Sequence, residues 1–184
     1  MPRPSPEQTR HEILAAASHL VATTGYQGTS LQRIADEIGY SKSSLLYHFS
    51  SKVEILRELI APGAAELAEL DRRLARMSAR RAQRAAAEGF IDLAVRYRTV
   101  LVVLWPAVPE VMGTAGFEDI AAQAQRLKHA LAGRSDTPLA TVTALAVLTG
   151  TTNTCSELTE LPDDALRDAL LTFARRALSL PELA

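Results

Sequence analysis

A single glycine between two short apolar stripes constrains this chain more than any other feature. Leu31, Ile34, Ala35 and Ile38 recur at the spacing of one helical face. Gly39 stops that run after about two and a half turns of helix. Ser41 then stands where a helix N-cap belongs, and Leu45 and Phe49, four residues apart, give the next helix an inner face. Thr29-Ser30 opens the first of these helices after a turn at Gly28, and Ser51 restarts the chain as a further helix.

The flanks are helical as well. Ile13, Leu14, Ala17, Leu20 and Val21 share one face of a first helix, which Thr24-Gly25 ends. Ile55, Leu56, Leu59 and Ile60 form the stripe of a fourth helix. Pro62-Gly63 is expected to kink or interrupt it before it resumes over 64–80. Alanine-rich helical stretches follow. A fifth helix is predicted over about 82–104, with Phe90, Ala94, Tyr97, Leu101 and Leu104 on one face and Trp105-Pro106 at its end. A short sixth covers 108–112, and a seventh covers 117–131 with Ile120, Ala124 and Leu127 inward. After a loop at 133–136, two more are predicted at about 138–158 and 163–180, the last started by Pro162-Asp163-Asp164. The stretch 139–158 is apolar around most of its circumference, as in a helix buried on several sides. The expected fold is all-α with about nine helices. Residues 1–55 form a three-helix amino-terminal domain and residues 56–184 a carboxy-terminal helical bundle.

Charge is uninformative at the scale of the whole chain. The formal net charge is −1, and residues 1–60 balance six Lys/Arg against six Asp/Glu, so a polyanionic partner must be argued from local placement. One cysteine, Cys155, excludes an intramolecular disulfide and reads as a packed thiol. The segment MPRPSPEQTR lacks an apolar signal region, and the longest apolar run, 100–111, is short and broken by Pro106 and Pro109. A cytoplasmic location is expected. His11 and His19, eight apart on one helix, are too far apart to chelate a metal alone, and no metal or cofactor is expected. A helical enzyme using Tyr97 or His129 would lack nucleophile–base spacing, so no enzymatic activity is expected.

Two short helices joined by a tight glycine turn, the second rich in small polar residues, form a helix-turn-helix, whose second helix enters the DNA major groove. Lys42 can donate to phosphate or guanine, and Ser43 and Ser44 allow close approach and bond either bases or phosphate. With Leu45 and Phe49 inward, Tyr47 and His48 point outward. Lys52 is placed to join its charge to the amides of the next helix. A rival reading makes 29–52 a protein-binding adaptor surface.

The run TSLQRIADEIGYSKSSLLYHFSSKVEIL resembles the DNA-binding region of the tetracycline-repressor (TetR) family of transcriptional regulators. The resemblance rests on Gly25-Tyr26, Thr29-Ser30, Ile34-Ala35, Gly39, Ser41-Lys42, Leu45, the Tyr47-His48-Phe49 finish and Ser51-Lys52, and covers roughly residues 10–60. It implies DNA contacts from Ser30, Arg33, Lys42, Ser43, Ser44, Tyr47, His48 and Lys52. Ser43 stands where the family often has glycine, and Leu46 where a phosphate-binding tyrosine is frequent.

The resemblance further implies an effector-binding and dimerisation domain. The last two helices would pair two subunits on a palindromic double-stranded operator, which a small molecule would release by repositioning the reading helices. Candidate pocket residues are Phe90, Tyr97, Trp105, Met112, Phe117, Thr152 and Asn153. Thr149, Thr151 and Thr154 share the last pair's helix. Their hydroxyls, like that of Thr152, either meet a ligand, bond across the dimer or bond back to carbonyls one turn earlier. The arginines at 72, 73, 76, 80, 81 and 84 read as a solvated face partly paired with Glu66, Glu69 and Asp71.

Overall fold

A computed structural model describes residues 5–100 and 115–180. The described residues form no strand, and eight helices lie wholly within them: α1 (Pro6–Gly28), α2 (Leu31–Glu37), α3 (Lys42–His48), α4 (Lys52–Ala75), α5 (Ala79–Arg96), α6 (Glu118–Leu131), α7 (Pro138–Glu157) and α8 (Asp163–Ala177), with residues 98–100 helical as well. The expected segment 108–112, with Trp105 and Met112, lies outside them.

Backbone contacts divide the described chain into two units. One holds residues up to Pro62 with 115–117, the other 63–100 with 118–180. The division lies within α4, further along the chain than the 55/56 boundary read from sequence, because Ile55 and Leu59 still pack in the first unit's core. α4 runs through Pro62 as one helix rather than being interrupted there. Proline removes one backbone bond, but the turns on both sides keep theirs.

The first unit is built on a cluster of Ile13, Ala16, Ala17 and Leu20 from α1, Ile34 and Ala35 from α2, Leu45 from α3, Phe49 and Ile55. These are the stripes read from sequence, and they close around Leu45 and Phe49, which are 0% and 1% exposed. α1 is capped by Ser5 in a reciprocal pair with Gln8. The helix departs from α geometry at Gly25 (φ 73°), where the sequence placed its end, and resumes for one turn to Gly28.

The second unit buries one cluster from α4, α5, α6, α7 and α8, including Leu70, Leu74, Ile91, Leu127, Leu131, Val147, Cys155, Leu166 and Leu170. α5 starts earlier than predicted, behind Ser78, and stops at Arg96, although its apolar pattern continues past that point. Glu69 pairs with Arg72 as expected. Glu66 and Asp71 instead take Arg96 and Arg126, at 2.8 and 2.7 Å, rather than the neighbouring arginine run. Burial pushes the Cys155 thiol pKa up, leaving little thiolate to react.

Candidate functional site

The turn between α2 and α3 follows from Gly39. The Gly39 N–H donates to the Asp36 carbonyl at 3.2 Å, and the Tyr40 N–H reaches back to the Ala35 carbonyl at 2.8 Å. This pair of bonds is the Schellman arrangement, and it needs the positive φ of 70° that glycine adopts without penalty. The Ser41 hydroxyl oxygen then accepts from the Ser44 N–H at 3.1 Å and starts α3. α2 begins the same way, with Ser30 Oγ accepting from the Arg33 N–H at 3.2 Å. Local chemistry thus ends α2, turns the chain and starts α3.

α3 separates its residues cleanly. Leu45 is fully buried, and Phe49 just beyond the helix closes the core. Lys42, Ser43, Ser44, Leu46 and Tyr47 face water, Tyr47 with 86% of its surface exposed, and His48 is half-buried with its ring edge-on to that of Tyr47. The seven residues of α3 carry no acid, so a phosphate approaching this face meets Lys42 and hydroxyls without a repelling carboxylate from the helix itself. Ser30 is exposed at the head of α2. Arg33 is exposed too, and one of its guanidinium nitrogens donates to the Gly28 carbonyl.

Lys52, expected to add its charge to a phosphate contact, turns its ammonium toward the loop ahead of α2. Its ammonium donates to the Tyr26 carbonyl at 2.6 Å and the Thr29 carbonyl at 2.9 Å, and sits 3.8 Å from the centre of the Tyr26 ring. The carbonyls left open where α1 gives way to α2 attract the cation more effectively than solvent does. One amide of the α4 start is also taken, the Glu54 N–H donating to Ser51 Oγ, and the Glu54 carboxylate accepts from the Ser50 N–H at 2.7 Å. That bond and a second from the Ser50 hydroxyl hold the Glu54 pKa below its ordinary value. Lys52 thus clamps the loop ahead of α2. Lys52→Met is expected to lower the stability of the first unit by about 2 kcal/mol, read by chemical denaturation. An unchanged midpoint would return Lys52 to the surface.

Arg10 was not singled out from sequence, yet it ties three elements together. Its guanidinium pairs bidentately with Glu58 on α4, donates to the His48 carbonyl at 2.8 Å, and lies 4.2 Å from the centre of the Phe49 ring. The hydrogen bond that Arg10 donates to Glu58 chiefly holds the Arg10 pKa above its ordinary value. The end of α3 is thus fastened to α1 and α4 by a side chain outside the motif.

The described residues of the expected effector pocket lie in different surroundings. Phe90 packs half-buried against the second cluster. Tyr97 is half-buried just past α5, and its hydroxyl donates to Glu66 at 2.8 Å, so its polar end is already used. Phe117 is fully buried but belongs to the first unit's contacts, not the second's. The buried Thr152 hydroxyl is spent on the Leu148 and Thr149 carbonyls, both at 3.0 Å, and Asn153 faces outward. Trp105 and Met112 lie outside the described residues. Among the described residues no group of three or more His, Cys, Asp or Glu side chains could hold a metal, and no helix is long and apolar enough to cross a membrane.

Comparison with known proteins places the match on the same residues. The family model "Bacterial regulatory proteins, tetR family" matches residues 13–59. The HTH-type transcriptional repressor AcnR of Corynebacterium diphtheriae is 34% identical over 61 residues, which is 33% of this chain and 32% of that protein. The HTH-type transcriptional activator FasR of Mycolicibacterium smegmatis is 34% identical over 88 residues, 47% of this chain and 40% of that one. The matched region spans about a third of the length of such curated relatives. The crystal structure of Mycobacterium smegmatis AmtR superposes with a TM-score of 0.69 at 25% identity, covering 100% of this chain and 92% of that one. The glycine turn, the capped and pinned α3 and these matches converge on the same stretch, and residues 13–59 of the chain match the tetR family of bacterial regulatory proteins.

Proposed function

We propose that this protein is a cytoplasmic, homodimeric, ligand-responsive DNA-binding regulator, a repressor that leaves a palindromic operator when a small molecule binds its second unit. The observation that carries the DNA role is the division of α3. Leu45 and Phe49 hold it from behind while Lys42, Ser43, Ser44 and Tyr47 stand open at the front. Ser30, Arg33 and His48 border that front and complete the DNA contacts; Lys52 acts from within the domain instead. Leu46, 43% exposed on the same face, offers apolar contact, as to a thymine methyl, where a relative's tyrosine would bind phosphate.

The test is selection from a pool of random duplexes followed by anisotropy titration at several salt concentrations. An inverted repeat with half-sites one or two helical turns apart is expected, with affinity falling steeply as salt rises. Recovery of no preferred duplex, or salt-independent binding, rejects the reading and favours an adaptor.

Dimerisation is supported by the last two helices. Leu139, Val142 and Leu145 recur on one face of α7 and are 77%, 63% and 51% exposed. A groove on α8 is lined by Asp168, Ala169, Thr172, Phe173, Arg176 and Ala177. Gly150 on α7 lies beside the Phe173 ring of α8, at a distance where a Cβ would make ordinary contact at 3.8 Å. An apolar stripe of this kind is stable in water when a second copy covers it. Leu145→Glu combined with Phe173→Glu is expected to weaken self-association at least about a thousandfold, giving a monomer by sedimentation velocity where wild type is a dimer. A variant that still sediments as a dimer would move the interface elsewhere.

A further inference from the structure

The interior of the second unit holds two polar atoms that the fold leaves unsatisfied. Thr151 is fully buried on α7, one turn from Val147 and one from Cys155 on the same face, and its Oγ1 has no hydrogen-bond partner. Gln123 Oε1 on α6 is likewise buried and without a partner. Buried polar groups nearly always find partners, because an unmade bond forfeits hydration for nothing. Thr151's neighbours show that its state is not imposed by the helix. Thr143, Thr149 and Thr152 each donate to the carbonyl one turn earlier, at 2.8, 2.9 and 3.0 Å. Thr151 is not bonded in this way.

The two atoms belong to one hairpin. α6 and α7 are joined by the short turn at 132–137 and run back along each other. Gln123 precedes Leu127 and Leu131 by one and two turns, and Thr151 follows Ala144 and Val147. All four of those apolar residues lie in the same buried cluster. Counted from the turn, Gln123 and Thr151 stand roughly 8 Å apart along the hairpin, at about 1.5 Å per residue.

We propose that Thr151 and Gln123 are the polar anchors of the effector, a small, neutral, mainly apolar molecule bearing an amide or hydroxyl group. Its N–H or O–H donates to Gln123 Oε1, and a second bond is exchanged with Thr151 Oγ1. Neutrality follows from the surroundings. Val147 and Cys155, one turn to either side of Thr151, belong to a buried cluster of Leu, Ile, Val, Ala and Cys side chains against which Met77 and Phe90 pack. Arg98, whose charge is felt at Cys155, is already bound to Asp163 at 3.1 Å and to the Leu161 carbonyl. An anionic ligand would enter without a counter-charge. This proposal rests on the ligand-responsive reading above and names its ligand class.

The test uses the full chain, with octanamide, 1-octanol and octanoate as probes in thermal-shift titrations of wild type, Thr151→Val and Gln123→Leu. Octanamide and octanol are expected to raise the wild-type melting temperature, and octanoate at equal concentration is not. Each substitution should weaken the response to octanamide at least about tenfold, the loss for one buried hydrogen bond. Without ligand, Thr151→Val should melt about 2–4 °C higher, since a methyl replaces the unsatisfied hydroxyl. An equal response in wild type and Thr151→Val, an octanoate response matching that of the amide, no wild-type response to any probe, or a lower ligand-free melting temperature for Thr151→Val each overturns the proposal. Binding to the selected duplex is measured in parallel. A chain that binds its duplex but fails these shifts loses only this inference, whereas one that binds no duplex loses the regulator reading.

Discussion

Replacing Lys42 and Tyr47 together by alanine is expected to weaken binding to the selected duplex about a thousandfold, with the melting temperature unchanged to within about a degree. Each lost contact to phosphate or base is worth about 1 kcal/mol, and a symmetric dimer loses both contacts twice, so about 4 kcal/mol disappears. The slope of log affinity against log salt should become shallower by about two, one phosphate per Lys42. The fold is indifferent because both side chains face water, and Tyr47 gives up only its edge-on contact with His48 at 5.3 Å. Anisotropy at three salt concentrations, with calorimetry on the same sample, measures both halves. Unchanged affinity across salt would end the helix-turn-helix assignment.

The opposite behaviour is expected at Phe49. Phe49→Ala should destabilise the first unit by about 3–5 kcal/mol, the cost of emptying a fully packed aromatic position. Phe49 is 1% exposed, closes the cluster formed by α1, α2 and α3, and supports the Arg10 guanidinium on its ring face. Its removal also frees the end of α3, so DNA affinity should fall with stability rather than separately from it. Denaturant titration followed by far-ultraviolet circular dichroism reads the first effect. A midpoint within experimental error of wild type would show that Phe49 does not hold α3.

The contrast between these positions was legible in the sequence, because the start of α3 and the choice of its buried face are set by nearby residues. Gly39 and Ser41 act within a few residues, and the four-residue spacing of Leu45 and Phe49 fixes which face is buried. The Lys52 bonds were not legible because its partners are backbone carbonyls 26 and 23 residues away, which leave no side-chain signature. Arg10 was missed for the same reason, its partners lying 38 and 48 residues further along the chain. In the second unit the difficulty was phase. α7 is apolar nearly all round, so its pattern did not say which of several consecutive polar residues points inward. Thr152 and Asn153 were named as pocket residues, while the unsatisfied atom is on Thr151, one position and about 100° away. The sequence also showed no stop signal at the end of α5, where the apolar pattern runs on beyond Arg96.

The exposed face of α7 ties the protein's durability to its abundance. When a second copy covers Leu139, Val142 and Leu145, part of the folding free energy is supplied by association and grows with concentration. Each tenfold dilution below saturation then removes about 1.4 kcal/mol per dimer from the folded, assembled state. A regulator present in a few copies per cell would lie close to that threshold. Fresh monomers would be open to proteolysis until they met a partner, and the supply of intact protein would rise more steeply than the rate of its synthesis.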